Sequence, residues 1–275
     1  MNILVTGCNG FLGKEIKDFF SDKHNLFLTN RQSLNVLDEK QVSFYLEKNN
    51  IDAVIHTAVS GCGRETDTYN DFSNNISMFK NLYNNRDKFK IMINFGSGAE
   101  FNRQQNIFQK SEEEIFDCLP EDYYGLAKNM ITREILKTDN IYNFRIFGSF
   151  GIHEKSTRFI KNSLRRLSEN KPIHIIQNRH MDFIYVKDIC LAIEYYLQNF
   201  DKKQLHKDIN MCYNDQITLL DIANKILSIK NLPPSLVEVE NKVKGGSYSG
   251  NGTRLKKINT HMYGLEKGLG EIINV

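Results

Sequence analysis

The stretch NILVTGCNGFLGKEIKDFF (residues 2–20) joins two periodicities across a run of glycines. NILVTG (2–7) is a short apolar, β-branched run that reads as a buried strand, and FLGKEIKDFF (11–20) carries the spacing of a helix. Gly7, Gly10 and Gly13 stand between and within them at GxxGxxG spacing. At a strand-to-helix turn the three glycines permit a tight turn, close backbone approach to a pyrophosphate, and close helix–strand contact. The helix N-terminus adds unpaired N–H groups and the positive end of a dipole. Three glycines alone punctuate many turns. With a strand before them and a helix after, they predict a dinucleotide site.

The pattern repeats outward from there. Residues 25–30 read as a strand and 38–49 as a helix, followed by a strand at 53–60, a helix near 70–85 and a strand at 90–98. A helix then runs to about residue 137, and 142–150 reads as a strand. Strands alternating with helices through short joints predict an α/β protein with a parallel, doubly wound Rossmann sheet, because parallel strands need crossover helices. Further on, 158–170 and 217–229 read as helices and 181–200 as a strand running into a helix. NLPPS (231–235) breaks the pattern and GGSYSGNG (245–252) reads as a flexible loop. The expected organisation is a dinucleotide-binding domain over 1–150, with part of 178–212 returning to it, and a smaller substrate-binding lobe over most of 151–275.

Composition bounds the function classes. Of 275 residues, 40% are hydrophobic and 25% charged, an ordinary globular balance. The net charge of +3 arises from 36 basic and 33 acidic residues dispersed along the chain, which argues against a nucleic-acid surface. No run reaches the ~18–20 apolar residues of a membrane span, and MNILVTG has no charged n-region of a secretory signal. The five cysteines are scattered, without CxxC or Cys/His metal spacing. These features predict a cytoplasmic protein with reduced thiols, no membrane and no nucleic-acid partner, and no metal.

Cofactor type is decided after the second strand. NAD sites place Asp or Glu there for the ribose 2′-OH, whereas a 2′-phosphate needs a cation. TNRQS (29–33) has no acid and contains Arg31, whose guanidinium can bind a phosphate bidentately. The expectation is NADPH/NADP. Asp38 reads either as an adenine-ring contact or as a helix N-cap.

EDYYGLAKNM (121–130) places two tyrosines before a lysine. Residues four apart share a helix face and residues five apart do not, so Lys128 pairs with Tyr124 and Tyr123 faces elsewhere. A free phenol holds its proton up to a pKa of ~10, and a nearby ammonium favours the phenolate. The expectation is a Tyr124 made more acidic by Lys128. Ser97, in INFGSGAEF (93–101), ends the preceding strand at the sheet edge where ligands bind, and can hydrogen-bond a substrate carbonyl beside Tyr124.

The ordered set of motifs resembles the extended short-chain dehydrogenase/reductases. It comprises GxxGxxG, VIHTA (54–58), Ser97, the YxxxK pair, FRIFGSFG (144–151) and MDFIYVKDI (181–189), and covers nearly the whole chain. The resemblance implies a catalytic set of Ser97, Tyr124 and Lys128, with Lys128 also on the nicotinamide ribose. It implies cofactor contacts at Gly7, Asn9, Gly10, Phe11, Leu12, Gly13, Leu37, Asp38, Ala58 and Asn75, and a substrate contact at Gly98. It implies a nucleotide-sugar substrate and a homodimer built on two paired helices.

Within that family, LTNRQSLNVLDEKQV (28–42) looks most like the GDP-L-fucose synthases, whose 2′-phosphate arginine falls on Arg31. Those enzymes epimerise with a cysteine and a histidine before reducing; here the matching positions hold Ala99 and Arg158. Alanine carries no proton and arginine stays charged. Family dehydratases carry Asp-Glu directly after the catalytic serine or threonine, where this chain has Gly98-Ala99, with Glu100 one place late. Met181 replaces an arginine that many relatives place on the nucleotide phosphates, leaving Arg158, Arg179 and Arg254 as candidates. The resemblance thus implies an NADPH-dependent 4-ketoreductase of a GDP-linked deoxy sugar, hexose or heptose. An epimerase or dehydratase and a non-catalytic dinucleotide sensor are the alternatives. Cys62 and Arg64 read as sugar contacts or as part of a polar loop, and His56 as a hydrogen-bonded core residue.

Overall fold

The computed structural model describes residues 1–61, 66–202, 204–258 and 261–274. The first half follows the alternation read from the sequence: β1 (Asn2–Thr6), α1 (Phe11–Phe20), β2 (Asn25–Thr29), α2 (Glu39–Lys48), β3 (Ala53–His56), α3 (Tyr69–Tyr83), β4 (Ile91–Ser97), β5 (Ile107–Lys110), α4 (Tyr123–Ile135) and β6 (Ile141–Ile146). The second half contains β7 (Ser149–Phe150), α5 (Phe159–Ser168), β8 (Ile173–Gln177), β9 (Ile184–Tyr185), α6 (Val186–Asn199), β10 (Asp208–Met211) and α7 (Leu219–Ile229). It ends with β11 (Val237–Asn241), β12 (Tyr248–Gly250), α8 (Thr253–Ile258) and α9 (Gly264–Ile273).

Six parallel strands form the central sheet in the order β10-β6-β4-β3-β1-β2. The chain steps from β1 outward to β2, then crosses back to β3 on the other side of β1. That reversal opens a crevice at the strand C-termini between β1 and β3, where a doubly wound sheet binds its ligand. The pleat explains the unbroken apolar run of β1. Ile3 and Val5 enter the layer built with Ile16 and Phe20 of α1 and Ile189 and Ile193 of α6. Leu4 enters the opposite layer, with Val42 of α2, Phe79 of α3 and Ile131 of α4. Both faces are buried, so both must be apolar.

A third apolar cluster gathers Ile160 of α5, Ile173 and Ile175 of β8, Ile222 and Ile226 of α7, and Leu269 of α9. Leu255 of α8 and Ile209 of β10 return to the sheet core instead. Among the described residues no helix is long and apolar enough to cross a membrane, and no group of three His, Cys, Asp or Glu side chains could hold a metal.

Two segments depart from the sequence reading. The strand expected over 142–150 divides, because the chain turns at Phe147–Gly148 to pair β7 with β9. Gly148 packs so tightly that a Cβ there would lie 2.6 Å from the Asp182 carbonyl. The second departure is a correction. The expected flexible loop at 245–252 contains β12, which pairs with β5 and bridges to Met181. Ser249 and Gly250 have weak strand preference, yet partners on both sides take up the backbone groups of this strand.

Candidate active site

The glycine turn forms a cradle at the β1/β3 crevice. Gly7 has φ of +70°, a left-handed conformation that favours glycine, and a Cβ there would meet the Ala58 backbone at 2.8 Å. Gly13 packs against Cys8 and the Gly7 carbonyl, with 2.6 Å left for a Cβ. Gly10 is the N-cap of α1, and no side chain caps that helix end. Its first-turn N–H groups face the crevice mouth beside exposed Asn9 and Gly10. These features fit a pyrophosphate, with Phe11 and Leu12 offering backbone donors. Arg31 is exposed and forms no hydrogen bond or ion pair among the described residues, so its guanidinium is open to a 2′-phosphate.

Ser97, Tyr124 and Lys128 converge at the C-terminal edge of β4. Ser97 is the last residue of that strand, and its Oγ accepts from the Ala99 N–H at 3.2 Å across a short 3-10 turn over Gly98–Phe101. α4 crosses directly above this turn, since a Cβ on Gly125 would come within 2.6 Å of the Ala99 carbonyl. Asp122 starts α4 by accepting from the Gly125 N–H at 2.8 Å, and is itself held by Arg103 at 2.6 Å. Lys128 is buried one turn on, with Nζ 5.8 Å from the Tyr124 ring centroid and donating to the Phe95 carbonyl at 2.8 Å. Tyr123 is 44% exposed and faces Tyr69 and Phe72 on the surface. Lys128 thus shares its helix face with Tyr124 and not with Tyr123.

Electrostatics reverse one expectation. Desolvation pushes the Tyr124 phenol well up, assisted by Tyr248 and Glu100, while a hydrogen bond from Ser97 and the Arg103 charge work against it. Desolvation also lowers Lys128 to about 8, opposed by Glu100. The phenol is therefore held protonated rather than acidified by the ammonium. Desolvation is the largest influence on both groups, and the Lys128 charge does not figure among the influences on Tyr124.

Beneath the site lies a buried charge network that sequence reasoning missed. Glu100, fully buried, accepts from the Ser97 N–H at 2.8 Å through one oxygen. Its other oxygen accepts from Thr132 at 2.9 Å and Arg145 at 2.7 Å. Arg145, also fully buried, continues to Asp208 and Asn210, each at 2.9 Å. The Ser97-x-x-Glu100 spacing of a capping box was the available signal. Tyr248, whose hydroxyl lies 3.4 Å from Ser97 Oγ, carried no sequence signal.

Residues 3–212 match the NAD dependent epimerase/dehydratase family. The chain belongs to that family. A GDP-mannoheptose C4 reductase from Campylobacter jejuni, solved with NADP bound, superposes with a TM-score of 0.82 at 20% identity, covering 99% of this chain and 97% of that one. A GDP-L-fucose synthetase from Naegleria fowleri bound to NADP gives 0.80 at 16% identity, covering 99% and 91%. A UDP-glucose 4-epimerase from Thermus thermophilus in complex with NAD gives 0.78 at 15%, covering 100% and 98%. Resemblance at this level establishes a shared epimerase/dehydratase fold.

The remaining predicted residues of this family member sort by their contacts. Asn75 is buried, donating to the Ser60 and Asp71 carbonyls and accepting from the Ser60 N–H, so it pins the turn after β3. Asp38 takes its capping role: one oxygen accepts from the Gln41 N–H and the other from the Gln41 side chain. Leu37 packs at the edge of the second core cluster. Gly98 lies under the Phe147 and Tyr248 rings, which leave 2.4 Å and 2.9 Å for a Cβ. Arg158 stands at the start of α5 without capping it, its Nε 3.6 Å from buried Glu154, and Arg179 is exposed, with no side-chain hydrogen bond among the described residues. The Arg254 guanidinium pairs with Asp208, Glu112 and Glu113 beside the edge strand β10. His56 is buried against Thr6 at 2.7 Å, and burial followed by the Lys128 charge drops it to about 3. Cys62 and Arg64 lie outside the described residues.

Proposed function

We propose that this chain is an NADPH-dependent reductase that converts the 4-keto group of a nucleotide-activated deoxy sugar, GDP-linked and either hexose or heptose, to a hydroxyl. The observation that carries the reading is the convergence of Ser97, Tyr124 and Lys128 beside the glycine cradle. A bound NADPH would supply the hydride to the carbonyl carbon. Tyr124 delivers the proton to the ketone oxygen, and its upward-shifted phenol enters the reaction in the protonated form that this role needs. Ser97 donates a hydrogen bond to the same oxygen. Lys128, lowered to about 8, retains an ammonium at neutral pH that stabilises the phenolate left behind.

Arg31 supports NADPH over NADH, by charge and by its lack of any competing partner among the described residues. Ala99 is buried under α4 and has no acid–base side chain, which supports reduction without epimerisation. Arg158 and Arg179 are the cations assigned to the substrate phosphates. A cytoplasmic homodimer pairing α3 with α4 accords with the exposed Tyr69, Tyr123 and Met130 on those helices; light scattering tests it.

The test is NADPH consumption against nucleotide-linked 4-keto sugars, by wild type and Tyr124→Phe. One NADPH oxidised per alcohol formed, lost in the variant, is the expected result. Turnover without net NADPH loss would indicate an epimerase or dehydratase instead. Near-normal turnover by a folded Tyr124→Phe protein would discard the mechanism.

A further inference from the structure

The hydroxyl of Ser97 meets three groups, the Ala99 N–H, the Tyr248 hydroxyl and Tyr124. The Ala99 N–H donates to its oxygen at 3.2 Å, and the Tyr248 hydroxyl stands 3.4 Å from the same atom. A serine hydroxyl has two lone pairs and one proton. With one lone pair on the Ala99 N–H and the other on the Tyr248 O–H, the serine proton is directed to the Tyr124 side, where the ketone oxygen would sit between the two hydroxyls. A phenol is the better donor of the two hydroxyls and the weaker acceptor, since its lone pair delocalises into the ring, which favours Tyr248 as the donor to Ser97. We propose that Tyr248 is a positioning residue that aims the Ser97 proton at the substrate oxygen, and that it does so from a strand clamped between β5 and the segment around Met181. The role rests on the reductase reading above.

The placement of Tyr248 is over-determined. Its N–H donates to the His180 carbonyl at 2.9 Å, and its own carbonyl accepts from the Asp182 N–H at 3.2 Å. The same segment holds the Gly250 N–H through the Asp182 carboxylate at 2.8 Å, and on the other side the Ile107 N–H donates to the Ser247 carbonyl at 3.1 Å. The ring stands edge-on to Phe147, 5.5 Å between centroids, and over the Gly98 Cα. Any side chain at 98 would displace it. The residues flanking this strand, His180 to Asp182, lie next to Arg179 and Met181, where the substrate phosphates were expected. Seating the nucleotide and orienting the serine therefore involve one shared strand.

The test is a double-mutant cycle on kcat with Tyr248→Phe and Ser97→Ala. Tyr248→Phe keeps the ring against Phe147 and Gly98, so a similar melting temperature is expected. It should lower kcat about five- to tenfold, the worth of one hydrogen bond, with KM changed less than about twofold. In the Ser97→Ala background the same substitution should cost less than about twofold, because the group it acts through is gone. Multiplied losses in the double variant, with a wild type that turns over, would overturn the role of Tyr248 alone. A purely packing tyrosine would give that multiplied pattern together with a lowered melting temperature. No NADPH oxidation by wild type with any nucleotide-linked ketone would overturn the reductase reading and this role with it.

Discussion

Replacing Glu100 by glutamine tests whether the buried network underlies both the stability and the catalytic turn. The substitution removes a charge while nearly preserving volume. The carboxylate accepts on both oxygens, from the Ser97 N–H at 2.8 Å and from Thr132 and Arg145 at 2.9 and 2.7 Å. A glutamine offers one carbonyl oxygen and one NH2 group, so in either orientation the NH2 faces a donor and at least one hydrogen bond is lost. Arg145, fully buried, keeps Asp208 at 2.9 Å as its one counter-charge among the described residues. Removing one partner of a buried ion pair costs about 3–5 kcal/mol. Because Asp208 still pairs with Arg145, the lower end applies, about 3 kcal/mol. That is a large share of a typical stability of about 5–15 kcal/mol, and corresponds to a fall of roughly 6–12 °C in Tm. Urea unfolding at neutral pH measures it, through a lower midpoint with an unchanged slope. If the midpoint shift corresponds to less than about 1 kcal/mol, Arg145 does not depend on Glu100 and the network is not structural.

Three further outcomes follow from the same structure. Arg31→Ala should weaken NADPH binding about 10- to 100-fold, the loss of a charge-assisted contact, and leave NADH binding unchanged; equal losses for both would refute the 2′-phosphate assignment. Gly7→Ala should abolish dinucleotide binding by calorimetry, since φ is +70° and the new Cβ would stand 2.8 Å from Ala58, and normal affinity would exclude the cradle. Lys128 has a folded pKa of about 8, below its ordinary 10.5. Between those values the unfolded chain binds a proton that the folded chain lacks, so the Lys128 contribution favours folding increasingly as pH rises through that window. The stability of wild type relative to Lys128→Met should therefore climb between pH 8 and 10.5, and a flat difference would refute the burial of the amine.

Much of the site was legible because its signals are local. The alternation of strands and helices, the glycine turn and the four-residue step from Tyr124 to Lys128 all follow from short-range geometry. Helical spacing alone separated Tyr124 from Tyr123, and the structure puts Tyr123 at the surface. The exact sheet order was less accessible, since it depends on which side of β1 the third strand joins.

What sequence by itself determined was the class of fold, the glycine turn after the first strand and the helix face that Lys128 shares with Tyr124, because each is set by residues a few positions apart. Tertiary structure decided the rest. β12 is a strand and not a loop because partners around residues 107 and 181 reach it from far along the chain. Arg145 meets Glu100 across 45 residues, and Tyr248 meets Ser97 across 151. The direction of the Tyr124 shift was read wrongly from the sequence for the same reason: desolvation is a property of the packed interior, and no neighbouring residue in the chain reports it.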